Sequence, residues 1–193
     1  MKSLEEYLRD AEVAHGHLCA GQVLGVRMAM YGLGRLGIEE PQGKDRKRIV
    51  TFVEIDRCAT DAIGVVTGCR LGKRALKFRD WGKMAATFID LQYGRALRVA
   101  AKDSSKALAA EMHPELPTKN QQQMQAYREM KDEDLFEAQW VKVELPPEEM
   151  PGYKGERVVC GKCGEAIQFR REVRRGDQVL CRACSGESYY TPA

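Results

Sequence analysis

The chain has 193 residues, of which 44% are hydrophobic and 31% charged, and its formal net charge is +3. These totals argue against a disordered or strongly basic protein, and they allow one domain of about 150 residues with a small second one. No apolar run approaches the roughly 20 residues of a membrane span, and the first residues lack the basic and apolar pattern of an export signal. We therefore expect a cytoplasmic protein with reduced cysteines and no membrane contact.

The first part of the chain predicts two helices. Residues 3–6 form a capping box, so a first amphipathic helix runs to about Ala14. Residues 23–31 are apolar nearly all round, which predicts a helix buried in the core. We expect that helix to end at the glycines that follow it, Gly32, Gly34 and Gly37.

The middle of the chain predicts a sheet with further helices. Residues 49–55 favour a strand, followed by a short helix that Thr60 or Asp61 would cap. Residues 74–80 and 84–90 predict an antiparallel hairpin. Other strands are expected at residues 96–100 and 140–145, and other helices at 104–112 and 121–131. Strands in a row with helices grouped at the ends indicate the α+β class, with an antiparallel sheet flanked by helices.

Four of the seven cysteines lie near the end of the chain as two Cys-x-x-Cys pairs separated by 17 residues, Cys160 with Cys163 and Cys181 with Cys184. Two such pairs complete a tetrahedral sulfur shell for structural zinc, with a rubredoxin-like iron site as the alternative. The absence of an export signal disfavours two disulfides. This segment is too short for an apolar core, so the metal should replace one. Its sequence resembles the treble-clef zinc fingers of the DksA/TraR bacterial regulators.

The proline-rich stretch before these cysteines predicts a domain boundary. We expect a core domain at residues 1–145, a linker at 146–156 and a zinc-finger domain at 157–193, in which residues 166–170 and Val173 form a hairpin. From Gly152 onward eight basic residues face five acidic ones, and the rest of the chain is balanced. An excess of this size permits a weak anionic contact but does not indicate nucleic-acid binding, so a nucleic-acid partner is not expected.

A second set of potential ligands lies in the core. If the two junctions that carry them were adjacent, His17, Cys19 and Cys58 would give a metal three ligands and leave one position open. Asp61 would then be a candidate general base, or a partner for a histidine ring. His15 is a candidate outer partner of the site or simply a cap for the first helix. Cys69 is expected to be a small buried apolar side chain.

Several stretches of the first 100 residues carry a family resemblance: His15-Gly-His-Leu-Cys-Ala-Gly21, Gly25-Val-Arg-Met-Ala29, Asp56-Arg-Cys-Ala-Thr-Asp61 with Thr67-Gly-Cys69, Gly72-Lys73, and Asp80-Trp-Gly-Lys-Met-Ala-Ala-Thr-Phe88. Together they resemble the FmdE family, which is named after a component of formylmethanofuran dehydrogenase. The resemblance implies an α+β core, a homodimer, and a metal or ligand pocket near the histidines, Cys19 and Cys58. Some members of that family carry a C-terminal zinc finger.

The family name is tied to the molybdenum or tungsten enzyme that fixes carbon dioxide onto methanofuran in methanogenesis. No redox-centre signature is evident in this chain, so the resemblance implies a zinc-binding accessory protein of such an oxidoreductase, partnered by the other components of the enzyme. Two alternatives stay open. The core site could make the chain a metal-dependent enzyme with Asp61 as its base, or the finger could make it a nucleic-acid-binding regulator. Whether the chain is itself an enzyme is not decided by its sequence.

Overall fold

A long buried helix and a five-stranded sheet organise the first part of the chain. The computed structural model describes residues 1–191, so the last two residues of the predicted finger domain lie outside the described residues. The chain divides into two units, Met1–Val143 and Glu144–Ala193. The helices of the first unit are α1 (Leu4–His15), α2 (Ala20–Leu36), α3 (Cys58–Thr67), α4 (Ser104–Met112), α5 (Lys119–Glu129) and α6 (Asp132–Leu135). Its strands are β1 (Ile49–Val53), β2 (Leu76–Phe78), β3 (Ala85–Asp90), β4 (Arg95–Ala101) and β5 (Phe136–Val141).

The first helix is confirmed, together with its capping box. The Ser3 backbone N–H donates to Glu6 Oε2 at 2.8 Å, and the Glu6 N–H donates to Ser3 Oγ at 3.4 Å. The helix ends at Gly16, whose φ of +93° suits a residue without a side chain. Tyr7, Leu8 and Ala11 form its buried face.

The second helix is confirmed as buried, but it is longer than the sequence predicts. Gly32 and Gly34 lie inside α2 and do not end it. At Gly32 a Cβ would overlap the ring of Phe88, so the missing side chain lets α2 lie directly against β3. The helix ends at Gly37, where φ is +71°.

The sheet has the strand order β2-β1-β3-β4-β5, with β1 and β2 parallel and the other neighbours antiparallel. Its apolar residues join those of α2 in one core. This architecture confirms the predicted α+β class. The last strand, expected at residues 140–145, instead begins at Phe136, directly after α6.

The predicted hairpin of residues 74–80 and 84–90 is wrong. These segments form β2 and β3, which pair with opposite edges of β1 and not with each other. The connection crosses the end of β1, where the Glu54 carbonyl accepts hydrogen bonds from the N–H groups of Trp81 and Lys83. The apolar strand β1 therefore takes the buried position between them, which a pattern of alternating residues does not reveal.

The short helix α3 begins earlier than predicted. Its N-cap is Arg57 and its first residue is Cys58, so neither Thr60 nor Asp61 is the cap. Thr60 Oγ1 donates to the Ile55 carbonyl at 2.5 Å and stabilises the turn that enters the helix. As a result, Cys58 lies at the N-terminus of a helix, and Asp61 lies in its first turn.

The second unit contains two short ribbons, β6 (Val158–Val159) with β7 (Ala166–Ile167), and β8 (Val173–Arg175) with β9 (Gln178–Leu180). The predicted pairing of residues 166–170 with Val173 is wrong. Phe169 and Arg170 have positive φ values of 61° and 54°, which end the extended segment before a hairpin can form. The buried residues of this unit are Cys160, Ile167 and Leu180.

Candidate metal centres

The two histidines and the cysteine of the first helix junction come together. One ligand atom from each of His15, His17 and Cys19 lies within 4.8 Å of the others. The two imidazole ring centroids are 4.9 Å apart. His15 and Cys19 are half-buried and His17 is exposed, so the cluster opens to solvent on one side. We call these three residues the core cluster.

The local backbone explains this convergence. Gly16 turns the chain through a left-handed conformation at the end of α1, which brings His15 and His17 to the same side. Cys19 is the N-cap of α2, yet its side chain makes no capping hydrogen bond. Asn120 Oδ1 accepts the Ala20 N–H at 3.1 Å instead. The Cys19 thiol is therefore free to face the histidines.

Cys58 lies beside Cys19 but outside the three-residue set. A Cβ on Gly21 would be 3.2 Å from Cys58 Cβ and 3.8 Å from Cys19 Sγ, so Gly21 leaves the space in which the two cysteines approach. Burial raises the pKa of the Cys58 thiol, and the neighbouring Cys19 thiol raises it further. A bound cation would oppose both effects by stabilising the thiolates.

Asp61 contacts the cluster through His15. Its Oδ2 lies 2.8 Å from His15 Nδ1. A carboxylate accepts this hydrogen bond, so the proton is on Nδ1 and the lone pair of Nε2 is left for another partner. A carboxylate behind a ligating histidine fixes the ring and makes it a better metal ligand.

Two residues that the sequence does not single out also hold the site together. Gln22 is fully buried, and its Nε2 donates to the Cys58 carbonyl at 2.9 Å, which joins α2 to the first residue of α3. Its position as a polar side chain in an apolar helix is a signal of this role. Asn120, whose side chain caps α2, comes from α5 and gives no local signal. Cys69 lies elsewhere in the core, with its sulfur 3.6 Å from Thr51 Oγ1.

The four cysteines of the second unit form another cluster. Their sulfur atoms all lie within 4.8 Å of one another, so this cluster could bind a metal ion. Cys163 Sγ and Cys181 Sγ are 3.9 Å apart. A tetrahedral ion with metal–sulfur bonds of about 2.3 Å requires about 3.8 Å between sulfurs, whereas a disulfide requires about 2 Å. The geometry thus fits metal binding.

Acidity in this cluster also favours a cation. Backbone N–H groups, first that of Cys163 and then that of Cys181, lower the pKa of the Cys160 thiol to about 6. The pKa of Cys184 is raised to about 12, first by the Cys181 thiol and then by burial. Four sulfurs this close cannot all ionise unless a cation offsets their repulsion.

Comparison with known proteins decides the family. The family model described as "FmdE, Molybdenum formylmethanofuran dehydrogenase operon" matches residues 14–137. The chain belongs to this family. The matched region contains the core cluster, Cys58 and Asp61, and the cysteine cluster of the second unit lies beyond it. The membership confirms the resemblance that the N-terminal motifs indicate.

Two similar proteins extend the comparison to nearly the whole chain. A "Probable S-adenosyl-L-methionine-binding protein" of Archaeoglobus fulgidus is 31% identical over 210 aligned positions, which cover 97% of this FmdE-family chain and 54% of the relative. The chain thus spans about half the length of this curated relative. The crystal structure of an FmdE-like protein of tungsten formylmethanofuran dehydrogenase, from Syntrophus aciditrophicus, has a TM-score of 0.67 and 26% identity, and the match covers 98% of this chain and 96% of that one. No helix within residues 1–191 has the length and apolar character of a membrane span.

Proposed function

We propose that this FmdE-family chain is a metal-binding accessory protein of a molybdenum or tungsten oxidoreductase. The convergence of His15, His17 and Cys19 is the observation that carries the proposal. Imidazole and thiolate ligands are those that zinc takes from proteins, and a set of three leaves one position of a tetrahedral ion open. Zinc is proposed for both clusters, as a closed structural ion in the four-cysteine set and as an open one in the core.

Cys58 and Asp61 are proposed to complete the core site. The Cys58 thiol lies beside Cys19, which supports it as a ligand for the position that three ligands leave open. We expect Cys58→Ala to lower the metal content of the core site. Asp61 is bonded to His15 Nδ1, which supports a positioning role over that of a general base. An enzymatic role of the open site therefore has no assigned base.

Metal content per chain tests the core site. Elemental analysis of the full chain should give two equivalents, and Cys19→Ala should give one because the four-cysteine cluster keeps its ion. Cys163→Ser should lose the other equivalent. Cys69→Ala is the matched control, since this cysteine is buried outside both clusters, and it should keep two. A wild-type chain with a single equivalent, or an unchanged Cys19→Ala variant, would contradict the proposal.

The accessory role is supported by the family description and by the name of the Syntrophus relative. A tagged chain isolated from its own cells should recover a molybdenum or tungsten protein, which elemental analysis of the eluate detects. We propose the four-cysteine unit as the docking module because the positive excess of the chain lies there. Recovery that is unchanged when residues 144–193 are deleted would count against docking by this unit.

Binding of S-adenosyl-L-methionine is the second candidate function. The Archaeoglobus relative bears that name, and its similarity extends over 97% of this chain. Isothermal titration of the full chain with S-adenosyl-L-methionine tests whether the function resides in the shared half. Heat of binding that is absent from Cys19→Ala would assign the ligand to the open core position. Absence of binding would leave this function to the other half of the relative.

We also propose that the chain is a cytoplasmic homodimer. The resemblance to the family supports the dimer, and seven free cysteines suit a reducing compartment. Light scattering coupled to size-exclusion chromatography should give twice the chain mass of 21.7 kDa. A mass equal to one chain would contradict the dimer.

A further inference from the structure

A basic cavity lies beside α1 and α3, away from both cysteine clusters. Its volume is about 370 Å³, within the range of small-molecule sites. Three cationic side chains line it, Arg46, Arg70 and Lys73. Arg46 belongs to the short 3-10 turn before β1, and the other two flank a second 3-10 turn after α3. Lys73 is part of the Gly72-Lys73 motif, which the metal sites leave unexplained.

The three cations have no acidic partner among the described residues. All three side chains are exposed, and none forms an ion pair within residues 1–191. Asp10 is the acidic residue of the lining, and it already pairs with Lys2 Nζ at 2.6 Å. Like charges that share a concave surface repel each other unless an anion binds between them.

The backbone holds these cations in place. Asp45 Oδ2 accepts the N–H groups of Glu39 and Glu40 at 3.2 and 3.0 Å, and its Oδ1 accepts from Arg48 at 3.0 Å, which fixes the turn that carries Arg46. Residues three apart in a 3-10 turn eclipse each other, so Arg70 and Lys73 project from the same side. The Lys73 N–H donates to the Arg70 carbonyl at 3.1 Å, which closes this turn.

These cations are not needed to satisfy the end of α3. Basic residues after a helix C-terminus often bond to its last carbonyls. Here the Ile63 carbonyl accepts from Thr67 Oγ1 at 2.7 Å, and the Gly64 carbonyl accepts from the Gly68 N–H at 2.9 Å. The Val65 carbonyl accepts from Gln42 Nε2 at 2.5 Å. The guanidinium and ammonium donors are therefore left for another partner.

We propose that this cavity binds the phosphate or carboxylate end of a small organic anion. Guanidinium groups bind such oxygens in pairs, and the lysine adds a mobile charge. The cavity is larger than one phosphate group needs, so it has room for part of the attached molecule.

The cavity lies next to the core cluster. Asp61 precedes the lining residue Val65 by four positions on α3, which is about one helical turn or 5.4 Å along the axis. On α1, His15 directly follows the lining residue Ala14. A ligand anchored at the cations would therefore extend along the α1–α3 groove towards His15.

Isothermal titration of the full chain with pyrophosphate, and separately with citrate, tests the site. We expect Arg70→Ala and Lys73→Ala each to weaken binding of one or both probes about tenfold, because each removes a charged hydrogen-bond donor. The matched control is Lys47→Ala, which removes an exposed cation next to Arg46 that does not line the cavity. It should change the affinity less than about twofold.

A gain in affinity provides the complementary test. Asp10→Asn removes the acid from the lining and should tighten binding, whereas Glu12→Gln, an exposed acid on the same helix outside the lining, should not. Equal effects of Lys47→Ala and Lys73→Ala would mean a diffuse surface potential and would overturn the proposal. So would the absence of binding by both probes. Loss of stability in Arg70→Ala with unchanged anion affinity would assign this residue to the helix end and overturn its role in the site.

Discussion

At the residue scale, His15 joins two helices and orients one metal ligand. It ends α1, and Asp61 from the first turn of α3 holds its Nδ1. The ring can therefore present Nε2 to an ion without a search among rotamers. Such outer partners typically account for a factor of about 10 to 100 in metal affinity.

Asp61→Asn is expected to weaken metal binding at the core cluster by about tenfold or more, since an amide accepts more weakly than a carboxylate and can present its N–H₂ instead. Competition with a chromogenic chelator measures this affinity. Asp56→Asn is the control, because Asp56 is an exposed acid at the same helix entrance. Equal affinities for both variants would contradict the role given to Asp61.

His113 provides a pH-dependent contact between α4 and α5. Its Nδ1 and Nε2 lie 3.0 Å from carboxylate oxygens of Glu115 and Glu129, and these partners, Glu115 first, raise its pKa above 6.5. The stabilising contribution is complete below about pH 6.5 and is lost as the pH rises through the raised folded-state pKa. His113→Gln should therefore lower the unfolding midpoint in urea more at about pH 6 than at about pH 9. A loss that grows with pH would contradict this assignment.

At the element scale, glycines set how closely α2 approaches its neighbours. A Cβ on Gly25 would overlap the Ala59 carbonyl oxygen, which is backbone of α3 and cannot move aside. Both helices begin at the core cluster, with Cys19 and Cys58 at their N-termini. Their close packing therefore determines how near these two thiols lie.

Gly25→Ala is expected to destabilise the fold by about 1–3 kcal/mol through overpacking. Gly34→Ala, on the exposed side of the same helix with only Met1 Cε at 3.8 Å, should be neutral or stabilising by up to about 1 kcal/mol. Urea denaturation measures both variants. Equal destabilisation by the two substitutions would show that α2 and α3 are not in contact at Gly25.

The second unit should depend on its metal for folding. Its buried residues are three, Cys160, Ile167 and Leu180, which is too small an interior to hold a fold without a ligand. Cys163→Ser should therefore move the NMR signals of Ile167 and Leu180 to the positions of an unfolded segment, while the signals of the first unit remain. Native signals from the second unit in this variant would contradict a metal-dependent fold.

At the scale of the whole molecule, the sequence reveals short-range features better than long-range ones. The capping box at Ser3 and the spacing of the cysteine pairs depend on neighbouring residues, and the structure contains both features. The pairing of β2 with β1 depends on which strand takes the middle of the sheet. No local pattern encodes that choice, so the alternating residues indicate a hairpin that does not form.

The core cluster lies between these extremes. The residue types at His15, His17 and Cys19 predict potential ligands from their spacing alone, and the structure brings these three together. The place of Cys58 beside Cys19 requires α2 and α3 to pack closely, which the sequence indicates only through small residues in the buried helix. The contribution of Asn120 depends on a contact over 100 positions and could not be predicted.

The central claim is that the core cluster binds a metal ion in addition to the one in the four-cysteine set. Anomalous diffraction at the zinc edge, from crystals of the full chain as purified, tests it most directly because it counts and places the ions together. We expect two peaks per chain, one among His15, His17 and Cys19 and one among the four sulfurs of the second unit. A single peak at the second unit, with the first-unit histidines and cysteines free of density, would contradict the claim.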